Sequence, residues 1–201
     1  MKLLHFPIYS LDALPALDWR TLPKAKASHT WSGNLRTPEL SFFLGFNQSR
    51  FLFSAEVNIA PLAPAEHSPG MFVEKLWEAD VIEVFLCADQ GTSYQEFNFS
   101  PAGAWWTCVF SEYRKPGKQS FTRNPSVKVI SDKKTFWRIH AEVPRSVLGI
   151  PIRNYPRAAN ICGIFGSEPR QYLSFASLSA EQPDFHCLKE LCPTKVLNVT
   201  Q

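Results

Sequence analysis

Short runs of alternating apolar and polar residues dominate this chain. Residues 94–99 read Tyr-Gln-Glu-Phe-Asn-Phe, so one side carries Tyr94, Glu96 and Asn98 and the other carries Gln95, Phe97 and Phe99. Because successive side chains of a strand point to opposite faces, this period of two predicts β-strands. Similar runs cover residues 40–46, 50–58, 81–87, 105–110 and 135–143, and weaker ones cover 160–165, 172–175 and 195–199. Turn-forming residues separate the runs, as at 47–49 and 100–103, which indicates hairpins.

Helical periodicity is nearly absent. Residues 144–149 begin with Pro and end with Gly, which suits a single helical turn. Many short strands at roughly ten-residue spacing are typical of all-β folds. We therefore predict one antiparallel β-sandwich domain over residues 1–201, with jelly-roll or immunoglobulin-like layering and at most short helical turns.

Composition restricts the partners and the compartment. The formal net charge is only +3, which predicts neither a nucleic-acid nor an anionic-membrane partner. No apolar stretch approaches the ~20 residues of a membrane span. The apolar run near Met1 is too short for a signal peptide, and the five cysteines are odd in number and scattered. We therefore expect a cytoplasmic protein with reduced thiols.

Polar side chains interrupt the apolar strands at particular places. Glu83 stands between Val81 and Phe85 on one face of its strand, and burying a carboxylate without a partner is costly. Glu96 and Asn98 share a face of the next run, and Arg138 and His140 share a face of the run 135–143. If these strands share a sheet, one surface gathers all five polar side chains. A polar sheet face of this kind could bind the hydroxyl groups of a sugar, although Glu83 could instead be a structural carboxylate paired with Arg138.

Four segments in order resemble family 9 carbohydrate-binding modules and the wider DOMON-like group. In residues 76–86, Trp77 is followed by Asp80 and then by Glu83 within a strand. Residues 94–103 are similar to the following strand and its turn, and residues 137–149 to a strand leading into a Pro-started turn. Asp184-Phe185-His186, followed by residues 195–199, resembles the closing segment.

The resemblance implies non-catalytic binding of a mono- or oligosaccharide in an aromatic and polar cleft. Trp77 would form one wall, and Phe185 with His186 would form the other. Glu83 would accept hydrogen bonds from hydroxyl groups, with Glu96, Asn98, Arg138 and His140 as further polar contacts. Asn98 stands where the family often has an Arg. Since Trp105 and Trp106 must point to opposite faces, one should be in the core and the other exposed or in the site.

The resemblance leaves the question of cofactors open. We expect none, although family members often carry calcium. The nearby carboxylates that could hold this ion are Glu74, Glu78, Asp80 and Asp89. One alternative is a haem-binding DOMON-like cytochrome domain, with Met71 and one of His67, His140 or His186 as axial ligands.

An enzyme is not expected. The chain has no Gly-x-Ser-x-Gly, no His-Glu-x-x-His, no phosphate-binding glycine loop and no Cys-x-x-Cys. Glu83 and Glu96 could form the carboxylate pair of a glycosidase only at a suitable separation. A third possibility is an interaction domain whose aromatic surface contacts a protein partner.

Overall fold

The protein is almost entirely β-structure. The computed structural model describes residues 4–12, 23–31, 38–117, 124–132 and 134–198. Within these ranges the strands are β1 (Phe6–Ser10), β2 (Ala25–Ala27), β3 (His29–Thr30), β4 (Leu40–Phe46), β5 (Arg50–Val57), β6 (Val81–Cys87), β7 (Tyr94–Phe99), β8 (Trp105–Glu112), β9 (Lys115–Pro116), β10 (Ser126–Ser131), β11 (Trp137–Pro144), β12 (Ala158–Phe165), β13 (Gln171–Ser174) and β14 (Cys192–Asn198). The helical segments of the described residues are single 3-10 turns at Leu76–Glu78, Arg145–Val147 and Leu188–Glu190.

The strands predicted from alternation are confirmed. β4 and β5 form the expected hairpin around residues 47–49, and the turn at residues 145–147 is present. Val199, which was included in the last predicted strand, lies outside the described residues. The prediction missed β1 and β10, among others. Pro7 weakens the strand pattern of β1, but β4 pairs only with Tyr9 and Ser10 of that strand, beyond the proline.

All the strands belong to one mixed sheet rather than to two separate antiparallel layers. The hydrogen-bonded order is β10-β11-β5-β4-β1-β14-β12-β6-β7-β8-β9, with β2, β3 and β13 attached beside this path. β1 runs parallel to both β4 and β14, and with β14 it joins the two halves of the order. The all-β prediction is therefore confirmed, whereas the purely antiparallel layering is not, because β1 inserts between strands that are distant in the sequence.

The sheet curls so that its two halves pack against each other. We call β2, β4, β5, β10 and β11 the first half, and β3, β6, β7, β8, β9, β12 and β13 the second half. Three ring contacts bridge the halves: Phe51 with Phe97 at 5.2 Å, Phe53 with Phe99 at 5.5 Å, and Trp137 with Phe165 at 6.2 Å. The core thus lies between the halves, and each half has an outer face that points away from it.

All five cysteines are free thiols, and Cys87, Cys162 and Cys192 are buried. Burial raises the pKa of the Cys87 thiol to about 11. In the described part of the chain, no helix has the length and apolar character needed to span a membrane.

Candidate functional site

A cavity of about 420 Å³ opens on the outer face of the second half. Its floor includes Glu83 from β6, Glu96 from β7 and Cys108 from β8. The strand register places these side chains on one face, because Glu83 lies opposite Asn98 and Glu96 lies opposite Cys108. The β7–β8 hairpin that sets this register turns at Gly103, whose φ of +83° favours glycine.

Two indole rings form one side of the cavity. Trp77 and Trp106 meet edge to face, with ring centroids 5.5 Å apart. Trp77 belongs to the 3-10 turn Leu76–Glu78, in which Leu76 is buried in the core. This anchor leaves the Trp77 side chain at the surface with 37% of its area exposed. An indole held in this way can offer part of its surface to a ligand.

The loop before β14, together with β13, forms another part of the cavity lining. Phe185 and Tyr172 both line the cavity, and their ring centroids are 6.3 Å apart. Trp31 supports Phe185 from outside the cavity, with ring centroids 5.6 Å apart. The Trp31 indole N–H also donates a hydrogen bond of 2.9 Å to the carbonyl oxygen of Ala180. The loop is therefore held in place over the sheet face.

Asp184 fixes the position of this loop. Its carboxylate accepts hydrogen bonds from the Tyr113 hydroxyl at 2.8 Å, from the Arg114 guanidinium at 3.0 Å and from the His186 backbone N–H at 3.1 Å. Burial raises the pKa of Asp184, but these hydrogen bonds and the Arg114 charge outweigh burial and leave the pKa below its ordinary value. Asp184 is therefore an ionised structural anchor, and it engages the guanidinium of Arg114.

His186 reaches into the cavity as a neutral imidazole. Burial, together with the Arg114 charge, lowers the pKa of His186 to about 4. Its Nδ1 lies 2.7 Å from the Tyr94 hydroxyl, which in turn accepts a hydrogen bond from the Arg114 backbone N–H. Its Nε2 lies 3.7 Å from a carboxyl oxygen of Glu96. A neutral ring at this distance gives Glu96 no positive charge as a partner.

The two glutamates on the floor are nearly inaccessible to solvent. Glu83 and Glu96 each expose only 4% of their area. Burial and the nearby Glu96 raise the pKa of Glu83 well above its ordinary value, against weaker opposite effects of Arg114 and Arg170. Burial also raises the pKa of Glu96 to about 7. Carboxyl groups in this state can donate as well as accept hydrogen bonds near neutral pH.

Asn98 lies between Glu83 and Trp106 in the sheet register, two residues from Glu96 on β7. Its side chain is fully buried, and its amide helps to hold down the pKa of Glu96. Neither amide atom makes a hydrogen bond of standard geometry within the described part of the chain. Asn98 therefore has hydrogen-bonding capacity to spare beside the floor.

The structure brings together six of the eight predicted site residues. Trp77, Glu83, Glu96, Phe185 and His186 line the cavity, and Asn98 adjoins it. Arg138 and His140 lie elsewhere, on the outer face of the first half, because β11 pairs with β5 and β10. The expectation that one surface gathers all of the polar residues is therefore wrong.

The surroundings of Arg138 and His140 agree with this separation. The Arg138 guanidinium pairs with Glu56 on β5, with Nε 2.6 Å from the carboxylate, and not with Glu83. Burial, with the charge of Arg138 as the next largest effect, lowers the pKa of His140 to about 4. The hydrophobic core separates this face from the cavity.

Several cavity residues were not assigned to the site from the sequence. Trp106, Cys108 and Phe110 share a face of β8, opposite Asn98, Glu96 and Tyr94 respectively. Period-two alternation through the β7–β8 hairpin could have identified these three. Trp105 is fully buried, so the expected division between Trp105 and Trp106 is confirmed. Arg114 reaches the cavity only through tertiary packing.

The carboxylates considered for calcium do not form a cluster. Within the described ranges, no group of three or more His, Cys, Asp or Glu side chains could hold a metal ion. Asp80 accepts hydrogen bonds from the backbone N–H groups of Leu62 and Gly166, at 2.9 and 2.8 Å. Asp89 accepts one from the Arg153 N–H at 2.9 Å. These two aspartates therefore bind loop backbone.

Two of the histidines considered as the haem partner of Met71, His140 and His186, lie far from each other. They lie on the outer faces of opposite halves, with the core between them. Met71 is 45% exposed in the segment that precedes the Leu76–Glu78 turn.

Comparison of the sequence with known proteins finds one similar human protein. No family model matches the sequence. The human UPF0462 protein C4orf33 is 27% identical over 176 residues, which cover 82% of this chain and 83% of the human protein.

Three solved structures have similar folds along nearly the whole chain. A candidate carbohydrate-binding protein from Bacteroides uniformis superposes with a TM-score of 0.71 at 16% identity, over 96% of this chain and 99% of that one. A family 9 carbohydrate-binding module from Caldicellulosiruptor kristjanssonii in complex with glucose gives 0.59 at 14% identity, over 97% of each chain. A family 9 module from the same organism in complex with cellotriose gives 0.58 at 12% identity, over 98% of this chain and 95% of that one. These TM-scores, at identities below 25%, show a shared fold and no more, and the DOMON-like part of the resemblance is not confirmed.

Proposed function

We propose that this protein is a non-catalytic carbohydrate-binding domain that holds a mono- or oligosaccharide in the cavity between Trp77 and Phe185. The observation that carries the proposal is the combination of aromatic sides and a polar floor in one accessible hollow of about 420 Å³. This volume lies within the usual range of small-ligand sites. The shared fold adds support, since a neighbouring structure holds glucose and another holds cellotriose.

The chemistry of the lining suits a sugar ring. A pyranose has apolar patches of C–H groups that can pack on the exposed part of Trp77, with Trp106 beside it. Its hydroxyl groups both donate and accept hydrogen bonds, and so do the carboxyl groups of Glu83 and Glu96 when they are protonated, a state that their raised pKa values favour. His186 contributes a neutral imidazole next to Glu96. We assign no part of this site to Arg138 or His140.

The direct test is to remove the exposed indole. We expect Trp77→Ala to weaken binding of glucose and cellotriose by about tenfold or more, because a central aromatic contact commonly contributes 2 kcal/mol or more. Isothermal titration calorimetry would give the affinities, and circular dichroism would check that the variant is folded. Ile130→Ala is the matched control, since Ile130 is 46% exposed on β10 in the first half.

The result can also count against the proposal. If folded Trp77→Ala binds these sugars as tightly as wild type, the cavity is not the binding site. If wild type binds no saccharide from a broad glycan array, carbohydrate recognition itself is wrong.

A further inference from the structure

The floor of the cavity carries two carboxyl groups that pair with no cation among the described residues. Glu83 accepts no hydrogen bond and forms no ion pair with any described residue, although it is buried and lines the cavity. Glu96 is two residues from Asn98, the partner of Glu83 in the register. Diagonal neighbours of this kind are about 7–8 Å apart between Cα atoms. Two acids therefore face the same space.

The cationic side chains around this floor are engaged elsewhere. The Arg114 guanidinium binds Asp184 at 3.0 Å and the Tyr113 hydroxyl at 3.3 Å. Arg170 donates to the carbonyl oxygen of Ala79 at 2.8 Å. Both lower the pKa of Glu83 from a distance without a hydrogen bond to it.

The other titratable groups near the floor are uncharged at physiological pH. His186 is neutral because burial lowers its pKa to about 4. Burial raises the pKa of Tyr94 to about 12 and that of Cys108 to about 11, and the pKa of Cys162 lies well above its ordinary value for the same reason. No group on the neighbouring strands β7, β8 and β12 therefore supplies the missing positive charge.

The sides of the cavity would also favour a cation. Trp77, Trp106, Tyr172 and Phe185 surround the floor with aromatic rings, and the face of such a ring attracts positive charge. A neutral sugar cannot offset the charge of either carboxyl group when it is ionised. A protonated amine on the sugar would form a charge-assisted hydrogen bond with a carboxylate, which is stronger than a bond to a hydroxyl group.

We infer that the saccharide recognised here is an amino sugar, whose protonated amine binds Glu83 and Glu96 inside the aromatic cavity. This inference rests on the proposed function, because it names the class of sugar that the same cavity takes. Affinity for an amino sugar should also depend on pH. An ammonium group binds most strongly to ionised carboxyl groups. Because the pKa values of Glu83 and Glu96 are raised, these carboxyl groups must release protons when the ammonium group binds. Affinity should therefore fall as the pH is lowered from 7 to 5.

The test compares three trisaccharides with the same β-1,4 linkage by isothermal titration calorimetry at pH 7. These are the glucosamine trimer, its N-acetylated form and cellotriose. We expect the glucosamine trimer to bind about tenfold or more tightly than either of the others, as one charge-assisted hydrogen bond predicts. Equal or tighter binding of cellotriose would overturn the amino-sugar inference and leave carbohydrate binding intact. Failure of all three to bind would overturn the proposed function as well.

Isosteric variants separate recognition at the floor from general attraction of a cationic ligand. Glu83→Gln should reduce binding of the glucosamine trimer to the level of cellotriose. Glu142→Gln is the matched control, because this glutamate pairs with Arg50 on the first half and its side chain is 43% exposed. A preference for the amine that survives in both Glu83→Gln and Glu96→Gln would refute the inference. A preference that is the same at pH 5 and pH 7 would refute it too.

Discussion

Replacing Glu96 with glutamine should stabilise the protein at pH 7.5 and have a smaller effect at pH 5. Glu96 exposes only 4% of its area, and burial raises its pKa from 4.5 to about 7. An acid that is harder to ionise in the folded than in the unfolded state stabilises the fold while it is protonated in both states. That contribution is lost as the pH rises from about 4.5 to about 7.

The size of the effect follows from the shift. One pKa unit corresponds to about 1.4 kcal/mol, so the full loss is about 3 kcal/mol above pH 7 and about 1 kcal/mol at pH 5. Glutamine resembles the protonated acid in shape and carries no charge, so the variant should avoid this loss. Removing the Glu96 charge should also lower the pKa of Glu83 and add to the stabilisation at high pH.

Urea unfolding followed by circular dichroism at both pH values would measure the free energy of unfolding. The comparison is between wild type, Glu96→Gln and the control Glu142→Gln at each pH. His140 and His186 have the opposite effect on stability. Burial lowers the pKa of both to about 4, so the free energy of unfolding falls as the pH is lowered. Both proteins contain these histidines, so most of the histidine effect cancels when the unfolding free energies of variant and wild type are subtracted at the same pH. Equal stability of Glu96→Gln and wild type at pH 7.5, or the same difference at both pH values, would refute the reasoning.

Two further predictions concern the fold that supports the cavity. Asp80→Ala should lower the free energy of unfolding by about 2–5 kcal/mol, because it removes the acceptor for two backbone N–H groups. Its control, Glu78→Ala at an exposed position, should change this free energy little. Phe6→Ala should lower the free energy of unfolding by about 3–5 kcal/mol, since Phe6 is fully buried in the strand that joins the halves. Its control, Leu4→Ala, replaces a residue that is 48% exposed and should not lower this free energy. Denaturant unfolding measures both, and in each case a loss within 0.5 kcal/mol of its control would contradict the assigned role.

The sequence predicted those features that residues close together in the chain determine. β6 and β7 were predicted with the bounds that the structure shows, together with the shared face of Glu96 and Asn98. Alternation of side chains is a local property of an extended backbone, so residues within one strand report it. The family resemblance extended this reach, since Trp77 and Phe185 both line the cavity although they are distant in the sequence.

The sequence by itself therefore determined that the chain forms short strands and which side chains share a face within each strand. Only the tertiary structure decided that Arg138 and His140 lie on the other half of the sheet, that β1 joins the halves, and that Arg114 is held by Asp184. The physical reason is that strand pairing depends on the packing of the whole core. Which strands become neighbours is set by the burial of residues far apart in the chain, and no local pattern encodes it.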